Sequence, residues 1–365
     1  MQNRPSRGSL LEALKQKNKA QGDQVDRSEI FQRIRDGKVI PIIGNSVRFD
    51  QIFSTLVAED PTEPVDEALA RTWADLIGYP LKDNFDLARV ALYNHVQSDD
   101  PEHAKRKYLN FLKQILIELG KSDESVAEVA LELEAQLNEM SFADIASDLG
   151  YPGYSSPDLD SLRLLARLNL PIYVTTSYFD FLERAIIIEG RTPRTQICFW
   201  SGDESNILPD HRIDPNFIPS ATNPVVYHLF GFEKYPRTLV LSEDDYLAFL
   251  AEATKGPDVH KPVIPLYLAD ALRSMSLILL GYNLHDWDFR VLFRGVIKPG
   301  LTSLRSFGLI VQLEPGKIGL AGNPAEANNY LKEYFEDADF KVVWGESEIY
   351  LNDLWKEWSK WVQGQ

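Results

Sequence analysis

The sequence predicts a doubly wound α/β protein with a parallel sheet and an early block of inserted helices, and three observations lead there. Short apolar runs recur at KVIPIIG, PIYVTT, TQICFW, VVYHLFG, SLILLG, SFGLIVQL and FKVVWG, each apolar on both alternating faces. Helical segments such as SLRLLARL and DFLERAIII stand between several of them. Strands buried on both faces and separated by helices describe a parallel sheet covered on both sides. The third observation is the stretch from about Glu67 to Ala146, which reads as helix almost throughout.

Residues 1–27 are rich in Gln, Asn and Ser, and Arg4, Arg7, Lys15, Lys17, Lys19 and Arg27 outnumber Glu12, Asp23 and Asp26. That composition reads as a mobile arm or a docking helix. SEIFQRIRDG follows, a helix with Ile30, Phe31 and Ile34 on one face and Gly37 as its stop, running into KVIPIIG. EALARTWADLI, NFDLARVALYNHV, KRKYLNFLKQILIEL and ESVAEVALELEAQL then form an insertion over about 60–150, broken by polar SDDP and GKSD. GYPGYSSPD closes it, and strands and helices alternate from there on, within a main domain spanning 28–365.

Composition limits the function classes. Across 365 residues, 44% are hydrophobic and 11% aromatic, enough for a packed interior in one large domain or two. With 38 Lys and Arg against 54 Asp and Glu, the net charge of -16 sets a field that repels phosphate backbones, so no direct nucleic-acid contact is expected. The opening MQNRPSRGSLLEALKQ has neither an apolar signal core nor a membrane run, and Cys198 is the only cysteine. A cytoplasmic protein with no membrane contact and no structural metal is expected.

In a doubly wound sheet ligands bind beyond the carboxyl ends of the strands, so the residues after each run carry the interest. Four exits end in small or polar turns: Gly44, Asn45 and Ser46; Thr175, Thr176 and Ser177 to Asp180; His228 to Gly231; and Gly281, Tyr282 and Asn283. Gly44 suits either a phosphate-binding turn or simply a turn needing positive φ. Thr175 and Thr176 also fit as strand residues, and Ser177 as a helix cap. His228 reads equally as a general base or as a hydrogen-bonded core residue. His285, Asp286 and Asp288 have metal-ligand character, but their spacing suits a helix start better. Glu243, Asp244 and Asp245 start another helix, capped by Ser242.

Taken together, VTTSYFDFLERAI, VVYHLFGFEKYPRTLVLSEDDYLAFL, LILLGYNLHDWDFRVLFRGVI and FKVVWGESEIYLNDLW resemble the SIR2-like domains of bacterial antiviral defence proteins, in the sirtuin superfamily. The resemblance runs from about Val39 to the C-terminus and implies a Rossmann-like, NAD-binding sheet, with the helical insertion in place of the sirtuin zinc ribbon. Its signatures are altered here. The usual Gly-Ala-Gly is Gly44-Asn45-Ser46, and Thr-Thr-Asn-Tyr-Asp is Thr175-Thr176-Ser177-Tyr178-Phe179, with Asp180 next. The His-Gly pair is Phe230-Gly231, with His228 two residues upstream and expected on the same face. Gly281-Tyr282-Asn283 stands for Gly-Tyr-Ser.

What the resemblance implies is an NAD+ glycohydrolase effector of anti-phage defence, releasing nicotinamide and ADP-ribose on activation. NAD would lie on Gly44, Asn45, Ser46, Thr175, Thr176, Gly281, Tyr282 and Asn283, with His228, Ser177 and Asp180 catalytic. A homo-oligomer and a partner protein belong to the same expectation. In the C-terminal helix Leu351, Trp355, Trp358 and Trp361 recur at helical spacing; most of that stripe is expected to pack back on the sheet, with part of it left for a subunit contact. The alternative is a catalytically degenerate SIR2-like subunit that binds a nucleotide or serves a structural role.

Overall fold

The computed structural model describes residues 27–57, 63–151, 160–201, 208–212, 214, 216–255, 263–283, 286–298, 308–312, 323–336 and 338–364. The expected arm lies outside them except for Arg27, as do His285 and most of GYPGYSSPD.

The apolar runs form seven strands: β1 (Val39–Ile43), β2 (Ile172–Thr175), β3 (Arg194–Ile197), β4 (Val225–His228), β5 (Ser276–Leu280), β6 (Gly308–Gln312) and β7 (Phe340–Trp344). They make one sheet in the order β3-β4-β2-β1-β5-β6-β7, and every pair is parallel. Ile43 is in register with Thr175 on one side and with Leu280 on the other, and Thr175 with His228. The chain leaves the central β1 toward β2, builds that half, and returns to β1's other side with β5. The carboxyl ends of β1 and β5 therefore form the switch point, where a crevice is expected.

Both faces are covered, as the continuous apolar runs require. On one face Ile30 and Phe31 of α1 (Arg27–Arg35) meet Val226, Leu280, Leu309 and the C-terminal helix. On the other face Ile42, Tyr227 and Leu279 meet Phe49, Phe142 and Phe179. Val226 and Tyr227, adjacent on β4, face opposite layers, which is the two-residue period of a strand.

Between β1 and β2 the chain forms α2 (Ser46–Ile52), α3 (Val65–Ile77), α4 (Leu87–Val96), α5 (Pro101–Ser122), α6 (Ala127–Glu134) and α7 (Phe142–Asp148). Three of these starts have a visible chemical reason. The Asp86 carboxylate accepts from the Ala88 and Arg89 amides, Asp100 accepts from Glu102 with Pro101 in the first turn, and Ser141 and Asp144 form a capping box. The helices join the sheet through aromatic contacts, Phe142 standing 4.6 Å from Phe179, and through one buried cation. Lys105 of α5 donates to the Leu239 carbonyl and to Asp245.

Beyond the insertion come α8 (Ser161–Arg167), α9 (Phe181–Ile188), α10 (Glu243–Ala253), α11 (Leu266–Ser274), α12 (Trp287–Val291, continuing as a π turn to Ile297), α13 (Pro324–Glu336) and α14 (Ser347–Gln363). Ser242 caps α10 as expected, accepting from Asp245 N at 3.2 Å. Ser177 does not cap α9. That position belongs to Asp180, because the chain needs three more residues to turn from β2 into the helix. On α14, Leu351, Leu354 and Trp358 are buried, while Trp361 stacks on Trp358 and lies beneath Arg35, and Trp355 lies beneath Arg167. Most of the tryptophan stripe thus packs within the chain. No helix among the described residues is long and apolar enough to cross a membrane.

Candidate functional site at the β1 and β5 exits

The fold brings three of the four strand exits together. Gly44 N donates to Leu280 O at 2.9 Å, and Ser46 Oγ donates to Gly281 O at 2.6 Å. The two turns lie so close that a Cβ on Gly44 would stand 2.1 Å from Gly281 O. Gly281 itself has a φ of +70° and abuts Val47, so it too must lack a side chain. Its amide donates to Ser347 Oγ, and Gln312 Nε2 donates to Tyr282 O. Thr175 Oγ1 donates to Ile43 O, and Thr176 Oγ1 pairs with the buried Tyr282 hydroxyl at 3.1 Å. Asn283 ends the turn, its carbonyl accepting from Asp286 N.

A family model described as SIR2-like domain matches residues 171–338. That segment of the chain is similar to SIR2-like domains. The match begins just before β2 and so leaves out β1 and the helical block; geometry alone attaches Gly44, Asn45 and Ser46 to the site. No curated protein matches the sequence.

At the switch point most polar groups already have partners. The hydroxyls of Ser46, Thr175 and Thr176 are all engaged with neighbouring turns. Asn45 Oδ1 is the exception, a buried acceptor with no partner among the described residues. An NAD ribose hydroxyl is a suitable donor for it. Positive charge for the diphosphate is scarcer: Arg48, one turn into α2, makes two 3.0 Å bonds to Asp160. Carboxyls cluster at the same end. Burial, with Asp66 adding its charge, pushes Asp288 up to about 7 and raises Asp286 well above the ordinary range. The residues present fit a ribose better than a diphosphate.

His228 is fully buried at the end of β4. Its Nδ1 lies 2.8 Å from Ser177 O and its Nε2 2.8 Å from Glu183 Oε1. The Ser177 carbonyl only accepts, so Nδ1 carries a hydrogen, and Nε2 and the Glu183 carboxyl share a proton between them. Burial works against a charge on the ring, but the Glu183 carboxylate, its hydrogen bond and the Ser177 carbonyl outweigh it and hold His228 above its ordinary value. In this arrangement both ring nitrogens are engaged within the fold and neither faces a water.

The expectation that His228 and Phe230 share a face does not hold. β4 ends at His228, and the strand period ends with it. His228 lies on the α9 side, whereas Phe230 has turned to the other layer, edge-on to Tyr246 and Phe249 at 5.6 and 5.1 Å. Gly231 follows at φ +93°, packed against the Thr238 backbone.

Asp180 accepts from Arg184 Nε at 2.8 Å, and Arg184 also bonds Asp144 of α7, so the carboxylate is part of an ion-pair chain toward the helical block. Ser177 contributes its carbonyl to His228 and its amide to Thr175 Oγ1. Among the described residues no group of three or more His, Cys, Asp or Glu side chains is arranged to hold a metal.

Glu183 and Glu233 were not singled out from the sequence. Glu183 accepts from Thr195 Oγ1 and His228, and Glu233 accepts from Phe142 N, with burial pushing its carboxyl up to about 7. A signal for Glu183 existed: it is the one acid in FLERAIII, a helix in which every residue except Glu183 and Arg184 is apolar.

Proposed function

We propose that this chain is a SIR2-like module that binds NAD or ADP-ribose at the β1 and β5 switch point and does not cleave it. One observation carries the reading: both nitrogens of His228 are committed to Ser177 and Glu183 inside a fully buried site. Cleavage of the nicotinamide bond by water calls for a group that can take up a proton, and the position where the family keeps its histidine holds Phe230 inside an aromatic core. Asp180, the other expected contributor, is paired with Arg184.

Binding is supported by the SIR2-like match and by Asn45, whose unpartnered Oδ1 would accept from a ribose hydroxyl. On this reading the protein serves an anti-phage assembly, which the resemblance suggests, as a ligand-binding or scaffolding subunit rather than as the enzyme that depletes NAD. A homo-oligomer and a partner protein enter the reading from that resemblance alone.

The test uses the full chain with NAD and with ADP-ribose. Each is expected to raise the melting temperature, because a ligand bound only by the folded state adds stability, while no nicotinamide is released. Nicotinamide release that tracks protein concentration would overturn the non-hydrolytic reading. A flat melting temperature with both ligands would overturn the binding one.

A further inference from the structure

The β5 exit carries negative charge that the fold leaves unanswered. Asp286 is tied to the turn by its amide, which donates to Asn283 O at 3.1 Å. It holds the N-cap position of α12, yet its carboxylate accepts from none of the helix amides, the bond that an aspartate usually makes there. Asp288 Oδ1 takes only the Phe289 amide, at 2.6 Å, and its charge bears on the Tyr282 hydroxyl of the same turn. From the first turn of α3, Asp66 acts on both acids.

No Lys or Arg among the described residues offsets the charge of these three carboxyls. Burial and their mutual repulsion hold them above the ordinary range, as befits a negative site without a counter-charge. Arg48 is spent on Asp160, and the hydroxyls of Ser46 and Thr175 have given their hydrogens to Gly281 O and Ile43 O. What remains for a ligand is negative charge beside the unpartnered Asn45 Oδ1. A ligand that brings positive charge and hydroxyl hydrogens matches both.

We propose that the switch point takes a phosphate-free ribonucleoside whose base carries a positive charge. This deepens the reading above and rests on it for the place of the ribose: Asn45 Oδ1 accepts from a ribose hydroxyl, while Asp66, Asp286 and Asp288 attract the base. An N-glycosylated pyridinium, the nucleoside half of NAD+, has that chemistry. The diphosphate of NAD or ADP-ribose brings like charge toward the same carboxyls and weakens binding without abolishing it.

Calorimetric titration of the full chain tests this at pH 8, above the value of about 7 to which Asp288 is pushed. The arms are nicotinamide riboside, its reduced and uncharged form, and ADP-ribose. Nicotinamide riboside is expected to bind at least about tenfold more tightly than either of the others. Added salt should weaken the riboside and strengthen ADP-ribose, because screening removes attraction and repulsion alike. Asp286→Asn keeps the shape and removes the charge, and it should weaken the riboside about tenfold while leaving ADP-ribose no weaker. If that variant fails to fold, the charged and reduced ribosides on the natural chain still decide. Equal affinity for those two forms, ADP-ribose bound as tightly as the charged riboside, riboside affinity unchanged in Asp286→Asn, or no saturable heat with the riboside would each overturn the proposal, and ADP-ribose binding at Asn45 would stand or fall by its own titration. Tight riboside binding with no response to NAD or ADP-ribose would instead overturn the broader reading and leave this one standing.

Discussion

His228 Nε2 and Glu183 Oε1 stand 2.8 Å apart, joining the last residue of β4 to α9 through a buried ion pair. Thr195 on β3 donates to the same carboxylate oxygen, so one acid ties two strands and a helix together. Removing one partner of such a pair leaves the other charge buried and alone.

His228→Ala is therefore expected to cost about 3 kcal/mol or more of folding stability, beyond what a cavity of that size explains. Urea unfolding followed by circular dichroism measures it. A loss below about 1 kcal/mol would show that the pair is not a structural tie.

The same pair sets a pH dependence. The folded-state pKa of His228 is raised, so its contribution is fully present below the unfolded value of about 6.5 and is lost as pH rises through the folded value. Asp180 faces the ring from the start of α9, and His211 acts on it from the loop after β3. Asp288 and Glu233, pushed up to about 7, act in the same direction: their contributions are present below the ordinary carboxylate pKa and fade as pH rises to about 7. The urea midpoint should be higher at pH 5 than at pH 8, and Glu183→Gln should flatten the part of that slope above pH 6. A midpoint that climbs with pH would contradict this sign.

Gly44→Ala places a methyl 2.1 Å from Gly281 O, so the two turns must separate. Gly190, at φ +81° with nothing within 4 Å, provides the control: alanine there meets only the backbone penalty of about 1–2 kcal/mol. Gly44→Ala is expected to cost about 1–3 kcal/mol by overpacking and to lower ADP-ribose affinity, although its φ is not left-handed. If it unfolds no more easily than the natural chain, the turns are not in contact in solution.

Phe230→His recreates the His-Gly pair of the family, and the surroundings of Phe230 argue against any gain. An imidazole there would lie between Tyr246 and Phe249 in the layer opposite to His228. The variant should lose about 1–3 kcal/mol through an unsatisfied buried ring nitrogen and release no nicotinamide. A gain of hydrolysis would mean that the site lies on the Phe230 side of the sheet.

The sheet was legible because its strands are short runs such as VIPII and SLILL, apolar at every position or nearly so, a pattern that a two-faced burial imposes on sequence directly. The meeting of Gly44 with Gly281 was legible only as two turns after strands. That they touch follows from β1 pairing with β5, a choice made over a long chain separation that no local pattern records. His228 was misplaced for a local reason: the two-residue period was extended past the end of its strand. Asp286 was legible as the start of a helix, but nothing in the run of letters tells that its carboxylate leaves the cap unmade.

The central strand also poses a problem of timing. β1 is made early, yet Thr175, which bonds Ile43 on its first side, comes 132 residues later, and Gly281, which bonds Ser46 beyond its other side, comes 235 residues after that serine. At about 5–20 residues per second on the ribosome, β1 waits on the order of ten seconds for its first neighbour. What emerges meanwhile is α2 to α7, whose mutual contacts are local and close quickly. Phe49 of α2 reaches Phe142 of α7 at 5.7 Å without any other strand in place. The inserted helices can thus shelter one face of an unpaired apolar strand during synthesis, a nascent-chain escort encoded in the same polypeptide.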